Sequence, residues 1–535
     1  EEPGLYFYWF DLWVNYRKLY RGEKGTAFET TESGPLYQLT VYDNAFTTPA
    51  DTAGGVMYQI FPDRFYEGNP QKPLVYNERI YRADKTKQPY FWPTNVADGY
   101  LTLDFFGGDL AGILQKLPYL AELGVTWIYL NPIFEAHSNH RYNTADYLNV
   151  DPYLGTNQDF ELLCKEAKKL GIRIILDGVF SHTGSDSLYF NREGRYPTYG
   201  AWQGPDSRYR PWYRFNENGT YESWWGFDTL PACNKQNRDF QDFICDEGGV
   251  IDTWLRRGAS GFRLDVADEL PDDFIAEMRT AVKRRGEENL LIGEVWEDAT
   301  TKEAYGVRRR YFLGQELDGV MNYPFGNAIL QLVKDSNAEL FAETINEICE
   351  HYPSPALSAC TTHLSTHDTA RAITVLAGEE LHGQNRDWQS SHFLTPEQYE
   401  LGVRRLVLAT ALQFALPGIP CVYYGDEVGM QGYKDPFNRG FYNWQAHESR
   451  IKPAIKALAN LRHVCPAFAK TALRVIKAEK GILILQRFAG DAWVTFAFNT
   501  TGHAVAVQLA EETLYLGSLG FAFVSSHVPL FSFRA

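Results

Sequence analysis

Short runs of β-branched and aromatic residues alternate with amphipathic segments over most of the chain. The first runs are GVMYQIF, TWIYLNP and IRIILDGVF, and the segments between them, GILQKLPYLAELG and NQDFELLCKEAKKLG, repeat apolar residues at helical spacing and end in glycine. Five more strand candidates follow, in the order GFRLDVAD, LLIGEVW, DGVMNYP, CTTHLSTHD and IPCVYYG. Eight strands, most of them separated by helical patterns, predict an α/β fold of the (β/α)8 TIM barrel type.

The same patterns divide the chain into four predicted regions. The barrel takes residues 51–182 and 235–464, and residues 183–234, rich in Tyr, Trp, Gly and Pro, form a small inserted domain B after the third strand. Alternating segments such as GILILQRF and AWVTFAFN predict an all-β C-terminal domain over residues 465–535. Residues 1–50 also alternate like strands, but they are too few for a complete sandwich of about 100 residues, so we interpret them as a partial β-rich N-terminal domain.

Charge and hydropathy exclude two classes of protein. The 535 residues carry a formal net charge of -16, which argues against a nucleic-acid binder. The uncharged run from Leu406 to Tyr424 has the length of a membrane span, but Pro417, Gly418 and Pro420 divide it into a helix and a following strand. We therefore expect no membrane association.

The cysteines and the N-terminus bear on the compartment. Seven cysteines are too sparse for a disulfide framework, and we interpret them as scattered core thiols. The N-terminal residues show no charged region followed by an apolar run, as a signal peptide would. We expect a cytoplasmic protein, with secretion as the alternative if a further segment precedes Glu1.

Charged side chains stand where barrel strands end. In GFRLDVADEL the alternation puts Phe262 and Leu264 on one face and both Arg263 and Asp265 on the other. Because the carboxyl ends of barrel strands meet at one mouth, these two side chains should face the residues that hold the same place on other strands. Those residues are Asp177, His182, Glu294, His367 and Asp368.

Such a cluster has a structural and a chemical interpretation. Arg263 with Asp265 alone would most simply be a buried ion pair. Several carboxylates with too few bases are costly to bury, which favours chemistry over packing. Glycoside hydrolysis needs an ionised carboxylate and a proton donor. We expect Arg263 to hold Asp265 ionised as the nucleophile, and apolar neighbours of Glu294 to raise its pKa as the general acid/base.

The segments DGVFSH, GFRLDVADE, GEVW and STHD, in this order, resemble the four signature segments of the α-amylase superfamily of glycoside hydrolases. VMYQIFPDRF and GIPCVYYGDEVGM resemble its flanking segments. The resemblance implies that Asp265 is the nucleophile, Glu294 the acid/base and Asp368 a transition-state stabiliser, with Arg263 orienting the nucleophile.

The resemblance also implies residues that bind the sugar. His182 and His367 would hydrogen-bond hydroxyls of the ring just before the cleaved bond, and Tyr142 in HRYNTADY would stack on that ring. Trp296 looks like the platform on the leaving-group side, and Glu269 matches a substrate-binding position. Apart from a family match, a lone Tyr or His is more often a core residue.

The segment LPACN, residues 230–234, resembles a five-residue segment of the neopullulanase, cyclomaltodextrinase and maltogenic amylase group. Asp268 departs from that group, which commonly has Asn there. The group implies α-1,4-glucosidic substrates, namely maltooligosaccharides, cyclomaltodextrins, pullulan or starch, and a homodimer. An α-glucosidase or an α-glucan transferase of the same superfamily is the alternative.

No cofactor is expected for the chemistry, and structural calcium is left open. Many relatives bind calcium through an Asn where this chain has Ser181. A second family site would use Glu67, Asn69 and Asp109, but Lys72 stands where another oxygen ligand is expected, and its ammonium would substitute for the ion. No metal ligand is therefore assigned.

Two further classes of protein fit the sequence less well. A catalytically inactive relative that only binds glycans or partners would have lost one of the acids, whereas Asp265, Glu294 and Asp368 are all present. A metal-dependent barrel hydrolase would need histidines clustered at strand ends, a spacing that the twelve histidines lack.

Overall fold

The computed structural model describes residues 2–14, 17–21, 27–29, 36–72, 76, 78–91, 102–446, 450–509 and 512–533. Part of the predicted N-terminal domain therefore lies outside the described residues. Within it, β1 pairs with β5 antiparallel, and β2, β3 and β4 form a separate antiparallel sheet. These strands are β1 (Gly4–Tyr8), β2 (Phe10–Val14), β3 (Arg17–Arg21), β4 (Ala27–Glu29) and β5 (Tyr37–Val41).

Eight parallel strands form the predicted barrel. In chain order they are β6 (Met57–Ile60), β9 (Trp127–Leu130), β12 (Arg173–Gly178), β13 (Gly261–Leu264), β14 (Leu290–Gly293), β17 (Gly319–Val320), β18 (Thr361–His363) and β19 (Ile419–Tyr423). Each pairs with its neighbour in chain order, β19 pairs with β6, and a parallel bridge from Met321 to Thr361 joins β17 to β18. All eight strand candidates are thus confirmed.

Short strands lie in the connections around the barrel. They are β7 (Ile80–Tyr81), β8 (Asp104–Phe105), β10 (Phe134–Ala136), β11 (Thr144–Val150), β15 (Glu303–Ala304) and β16 (Val307–Arg308). The connection after β12 contains no α-helix between residues 183 and 234, all of which are described; it consists of loops, isolated bridges and three 3₁₀ turns.

Within the described residues, twelve α-helices follow the barrel strands or extend their connections. They are α1 (Leu110–Glu122), α2 (Asn157–Lys169), α3 (Arg238–Cys245), α4 (Val250–Arg256), α5 (Asp272–Lys283), α6 (Tyr323–Asp335), α7 (Ala338–His351), α8 (Ser354–Ala359), α9 (Ala372–Ala377), α10 (Arg386–Ser391), α11 (Pro396–Ala415) and α12 (Ile451–Val464). Helix α2 begins in a capping box of Thr156 and Asp159, which satisfies its first backbone N–H groups. None of the described helices is long and apolar enough to cross a membrane, and Leu406–Tyr424 is shared by α11 and β19 as predicted.

Seven antiparallel strands follow α12 in the part of the chain that the structure describes. They are β20 (Leu473–Glu479), β21 (Ile482–Ala489), β22 (Ala492–Asn499), β23 (Val505–Leu509), β24 (Glu512–Leu516), β25 (Phe521–Ser525) and β26 (Phe531–Phe533). Five form one sheet in the order β20-β21-β22-β25-β26, and β23 pairs with β24. The all-β C-terminal prediction is confirmed, whereas the exact domain bounds stay predictions.

The barrel interior explains why polar residues gather at one end. Its floor is apolar and fully buried, made of Met57, Trp127, Tyr129, Ile175, Leu290, Ile292, Ala359, Ile419 and Cys421.

All seven cysteines are unpaired, and six of them are buried, as expected for core thiols.

Candidate active site

Strands β12, β13 and β14 bring four charged side chains together through their register. Asp177 pairs with Arg263 across β12 and β13, and Arg263 pairs with Ile292 across β13 and β14. The next backbone hydrogen bonds run from Asp265 N to Gly178 O and from Glu294 N to Leu264 O. Asp265 and Glu294 therefore follow directly above the level of Arg263, at the carboxyl ends of adjacent strands.

Arg263 lies at the centre of this cluster and is fully buried. Its Nη1 donates to Asp177 Oδ1 at 2.8 Å and to Asp265 Oδ1 at 2.9 Å, and its Nη2 lies 2.8 Å from Glu294 Oε2. One guanidinium thus compensates three buried carboxylates. These contacts explain why Arg263 and Asp265 share one buried face of the strand in GFRLDVADEL. Phe262 and Leu264, on the opposite face, pack in the hydrophobic core.

Glu294 accepts hydrogen bonds from the backbone next to Asp265 and from a tryptophan side chain. Besides the Arg263 contact, its Oε2 accepts the N–H of Val266 at 2.9 Å, and its Oε1 accepts Trp296 Nε1–H at 3.1 Å. Val266 is a β-branched residue with φ of 40°, a strained backbone conformation that aims this N–H. The prediction that Glu294 has apolar surroundings is therefore wrong, because three polar donors contact its buried carboxylate.

Asp368 lies on the loop after β18, and its charge interacts with that of Glu294. Its Oδ1 accepts Arg439 Nη2–H at 3.4 Å, and its Oδ2 lies 3.0 Å from His367 Nε2. Its side chain is one-third exposed, more than that of Asp265 or Glu294. Asp368 is thus the most accessible of the three acids that the sequence assigned to catalysis.

His367 is fixed in one tautomer by its partners. Gln59 Nε2 lies 2.9 Å from His367 Nδ1 and also donates to Asn131 Oδ1, so Nδ1 is the acceptor and Nε2 carries the proton. That Nε2 lies 2.6 Å from the hydroxyl of Tyr142, whose ring is stacked on His367 at 5.3 Å. Burial lowers the pKa of His367 well below its usual value, so the imidazole is neutral.

Burial is the main cause of a raised pKa at two acids, Asp265 and Asp368. It raises the pKa of Asp265 well above the ordinary range, with Glu294 and Asp177 adding to the rise and Arg263 opposing it. Burial and Glu294 likewise raise the pKa of Asp368 to about 7, against Arg439 and Arg263. The expectation that Arg263 simply holds Asp265 ionised is therefore corrected, because the guanidinium is shared with two other carboxylates.

The remaining predicted binding residues line the mouth. His182 is buried, its Nδ1 lies 2.7 Å from Ser181 Oγ and its Nε2 has no partner among the described residues; burial lowers its pKa to about 3. Trp296 is 43% exposed and stacks on Tyr323 at 4.0 Å, which leaves its other face open. Glu269 lies farther out, between the side chains of Trp225 and Tyr305.

Several residues of the mouth were not assigned from the sequence. They are Gln59, Tyr129, Asn131, His140 and Arg439. Gln59, Tyr129 and Asn131 follow the inward alternation of β6 and β9, so the same rule that found Arg263 would have found them. Arg439 lies on an irregular segment after β19, where no periodic signal marks it.

Of the four tryptophans of the inserted segment, Trp212 is a core residue, since its side chain is fully buried. Trp202 and Trp225 are exposed. Some aromatic residues of the segment 183–234 therefore pack in the core, and others are exposed to solvent.

The loop discussed for calcium is occupied by cationic and backbone donors. Lys72 Nζ lies 2.8 Å from Asp109 Oδ2 and also donates to the carbonyl of Gly107. The Asp109 carboxylate further accepts the N–H groups of Gly68, Asn69 and Gly112 at 2.7–3.0 Å. This donor set does not fit a calcium ion, because its carboxylate is already satisfied by N–H donors. Among the described residues, no group of three or more His, Cys, Asp or Glu is placed to hold a metal.

Comparisons with known proteins agree with this geometry. A family model described as the alpha-amylase catalytic domain matches residues 59–460. An amylopullulanase of Thermoanaerobacter thermohydrosulfuricus is 36% identical over 518 residues, 86% of this chain and 34% of its own length. Neopullulanase 2 of Thermoactinomyces vulgaris is 30% identical over 506 residues, 92% of this chain and 77% of its own.

A solved structure shares the fold as well. Cyclic alpha-maltosyl-(1→6)-maltose hydrolase from Arthrobacter globiformis, in its ligand-free form, superposes with a TM-score of 0.74 at 29% identity, covering 90% of this chain and all of that one. The chain spans 28% to 40% of the length of the three amylopullulanases it matches.

Proposed function

The chain belongs to the α-amylase family, and from that premise we propose that it hydrolyses α-1,4-glucosidic bonds with retention of configuration. Its substrates are maltooligosaccharides, cyclomaltodextrins, pullulan or starch. The observation that carries the proposal is that Asp265 and Glu294 contact the two terminal nitrogens of one guanidinium, at 2.9 and 2.8 Å. Retaining glycosidases need two carboxyl groups about 5–5.5 Å apart, and two carboxylates that share one guanidinium can hold such a separation.

The proposed reaction has two steps. In the first, an Asp265 oxygen attacks the anomeric carbon while Glu294 gives its proton to the departing glycosidic oxygen, so a glycosyl ester forms as the C–O bond breaks. In the second, Glu294 takes a proton from water, whose oxygen attacks the same carbon and releases Asp265. Arg263 offsets the negative charge of Asp265 in both steps.

The residues around the acids hold the sugar before the cleaved bond. Tyr142 offers a ring stacked on neutral His367, which suits the C–H face of a glucose ring. The Nε2 of His182 has no protein partner among the described residues and is available to a sugar hydroxyl. Asp368 would accept hydroxyl hydrogen bonds that strengthen as positive charge develops on the ring.

Product analysis tests the proposal. The protein is incubated in parallel with a cyclomaltodextrin, pullulan and starch, and the Asp265→Asn variant is the control. Ring opening followed by release of short maltooligosaccharides supports the proposal, and pullulan fragments show whether α-1,4 or α-1,6 bonds are cut. Glucose alone would indicate the α-glucosidase alternative, larger or new cyclic products an α-glucan transferase, and the absence of any cleavage would contradict the proposal.

Three accessory properties belong to the proposal. No calcium is needed at the loop of Lys72 and Asp109, because the ammonium takes the place of an ion.

Homodimerisation is supported by the exposed aromatic residues Tyr6, Phe7 and Trp9 at the N-terminal strands, and sedimentation velocity would measure it. A cytoplasmic location is supported by the seven unpaired cysteines.

A further inference from the structure

Two aromatic side chains are presented to solvent beside the mouth. Trp225 and Tyr305 are each 77% exposed, among the highest values for large apolar residues in the part of the chain that the structure describes. Both donate to one carboxylate: Trp225 Nε1–H to Glu269 Oε1 at 3.2 Å, and Tyr305 O–H to Glu269 Oε2 at 2.6 Å. The two rings, which belong to separate segments, are thereby fixed in place by a single residue.

The backbone at both aromatic residues is strained. Trp225 has φ of 49° and Tyr305 φ of 54°, a left-handed conformation that bulky residues rarely adopt. Each is followed by a glycine with positive φ, Gly226 at 82° and Gly306 at 75°. Burial does not compensate this strain, since both side chains are exposed, so a role outside packing is indicated.

The position of these residues relates them to the leaving-group side. Glu269 ends the 3₁₀ turn that follows Asp265, and Tyr305 lies at the tip of the β15–β16 hairpin, in the connection that begins at Glu294 and Trp296. Trp225 stacks on Trp224 at 5.5 Å. Trp224 in turn lies 5.2 Å from the ring of His182, so stacked rings connect Trp225 to the histidine at the mouth.

We propose that Trp225, Glu269 and Tyr305 form a rim clamp that binds the sugar rings beyond the cleaved bond and makes the enzyme prefer longer α-glucans. This inference rests on the proposed function and adds specificity-determining residues to the same site. Aromatic faces stack on the C–H faces of glucose rings, and Glu269 keeps both rings at a fixed separation. A substrate that ends in a small aryl leaving group cannot reach the clamp.

The test compares two substrates of the 535-residue chain. We measure kcat/KM for maltohexaose and for 4-nitrophenyl α-maltoside, and take their ratio. Trp225→Ala and Tyr305→Ala should each lower the ratio about 5- to 10-fold, the loss expected for one aromatic stacking contact, mainly through KM for maltohexaose. Tyr305→Phe keeps the ring but not the bond to Glu269, and should lower the ratio less than Tyr305→Ala.

The control is Tyr515→Ala, which removes a tyrosine that is 79% exposed on β24, in the C-terminal strands. It should leave the ratio unchanged. A ratio that stays within about twofold of wild type in both alanine variants, or an equal loss on both substrates, would overturn the clamp while leaving the proposed function intact. A wild-type protein that cleaves neither substrate would overturn the proposed function and the clamp together.

Discussion

At the scale of single residues, Arg263 is the positive charge that three carboxylates of the mouth share. Asp177, Asp265 and Glu294 all lie within 2.9 Å of its guanidinium, and Asp177 also accepts the hydroxyls of Tyr129 and Tyr142. Asp177 therefore competes with Asp265 for the same positive charge. Its own negative charge also raises the pKa of the nucleophile.

This competition gives a pH prediction. Because the pKa of Asp265 is raised and the nucleophile must be ionised, the acid limb of kcat/KM should lie above the usual aspartate range and activity should be lost as pH falls through it. Asp177→Asn removes one negative charge and leaves Arg263 to fewer partners, so the limb should move to lower pH by about one unit. The pH profile of kcat/KM measures this shift.

The matched control is Asp318→Asn. Asp318 is a fully buried aspartate paired with Arg279 and Lys283, and it precedes β17 at the opposite end of the barrel strands. Its replacement should leave the acid limb in place. A limb that does not move in Asp177→Asn, or that moves equally in both variants, would show that Asp177 does not set the pKa of the nucleophile.

At the scale of elements, the sequence predicted those site residues whose positions follow the alternation along a strand. Alternation along β12, β13 and β14 and the common direction of barrel strands were enough to place Arg263, Asp265 and Glu294 together. Gln59 and Asn131 follow the same alternation, although the sequence analysis assigned them no role. Trp225, Tyr305 and Arg439 could not be found this way, because they lie on irregular segments whose positive-φ or loop backbone leaves no periodic trace.

The loop before α1 gives a second prediction, about calcium. Lys72 is almost fully buried and its ammonium binds Asp109, the N-cap of α1. We expect that neither calcium nor a chelator changes the melting temperature of the wild-type protein. Lys72→Asn removes the ion pair, so it should lower the melting temperature by about 1–3 °C, and added calcium should not recover that loss, because the Asp109 carboxylate keeps its three backbone N–H donors.

Differential scanning fluorimetry with and without calcium measures both effects. Lys169→Asn is the control, since Lys169 is 60% exposed and its pair with Glu166 contributes little to stability. A wild-type melting temperature that falls on adding a chelator would contradict the assignment of Lys72 to the place of an ion.

At the scale of the whole molecule, the catalytic mouth depends on a barrel closed at β17 and β18 and tied to the C-terminal strands. Arg462 and Arg487 are buried without carboxylate partners among the described residues and donate to main-chain carbonyls at the end of α11, Arg462 to Phe414 O and Arg487 to Ala415 O. Both guanidinium groups lie against the ring of Phe468, at 4.8 and 5.2 Å. The C-terminal strands therefore support the turn that leads into β19.

The anomeric configuration of azide products decides whether this molecule cleaves its substrate through an Asp265 glycosyl ester with Glu294 as acid/base. Asp265→Ala and Glu294→Ala are each supplied with α-maltosyl fluoride and azide, and the maltosyl azides are assigned by proton NMR. In Asp265→Ala, azide enters from the vacated face and should give the inverted β-azide. In Glu294→Ala, the ester still forms and azide should release the retained α-azide. The same anomer from both variants, or appreciable hydrolysis by Asp265→Ala without azide, would contradict the assignment of nucleophile and acid.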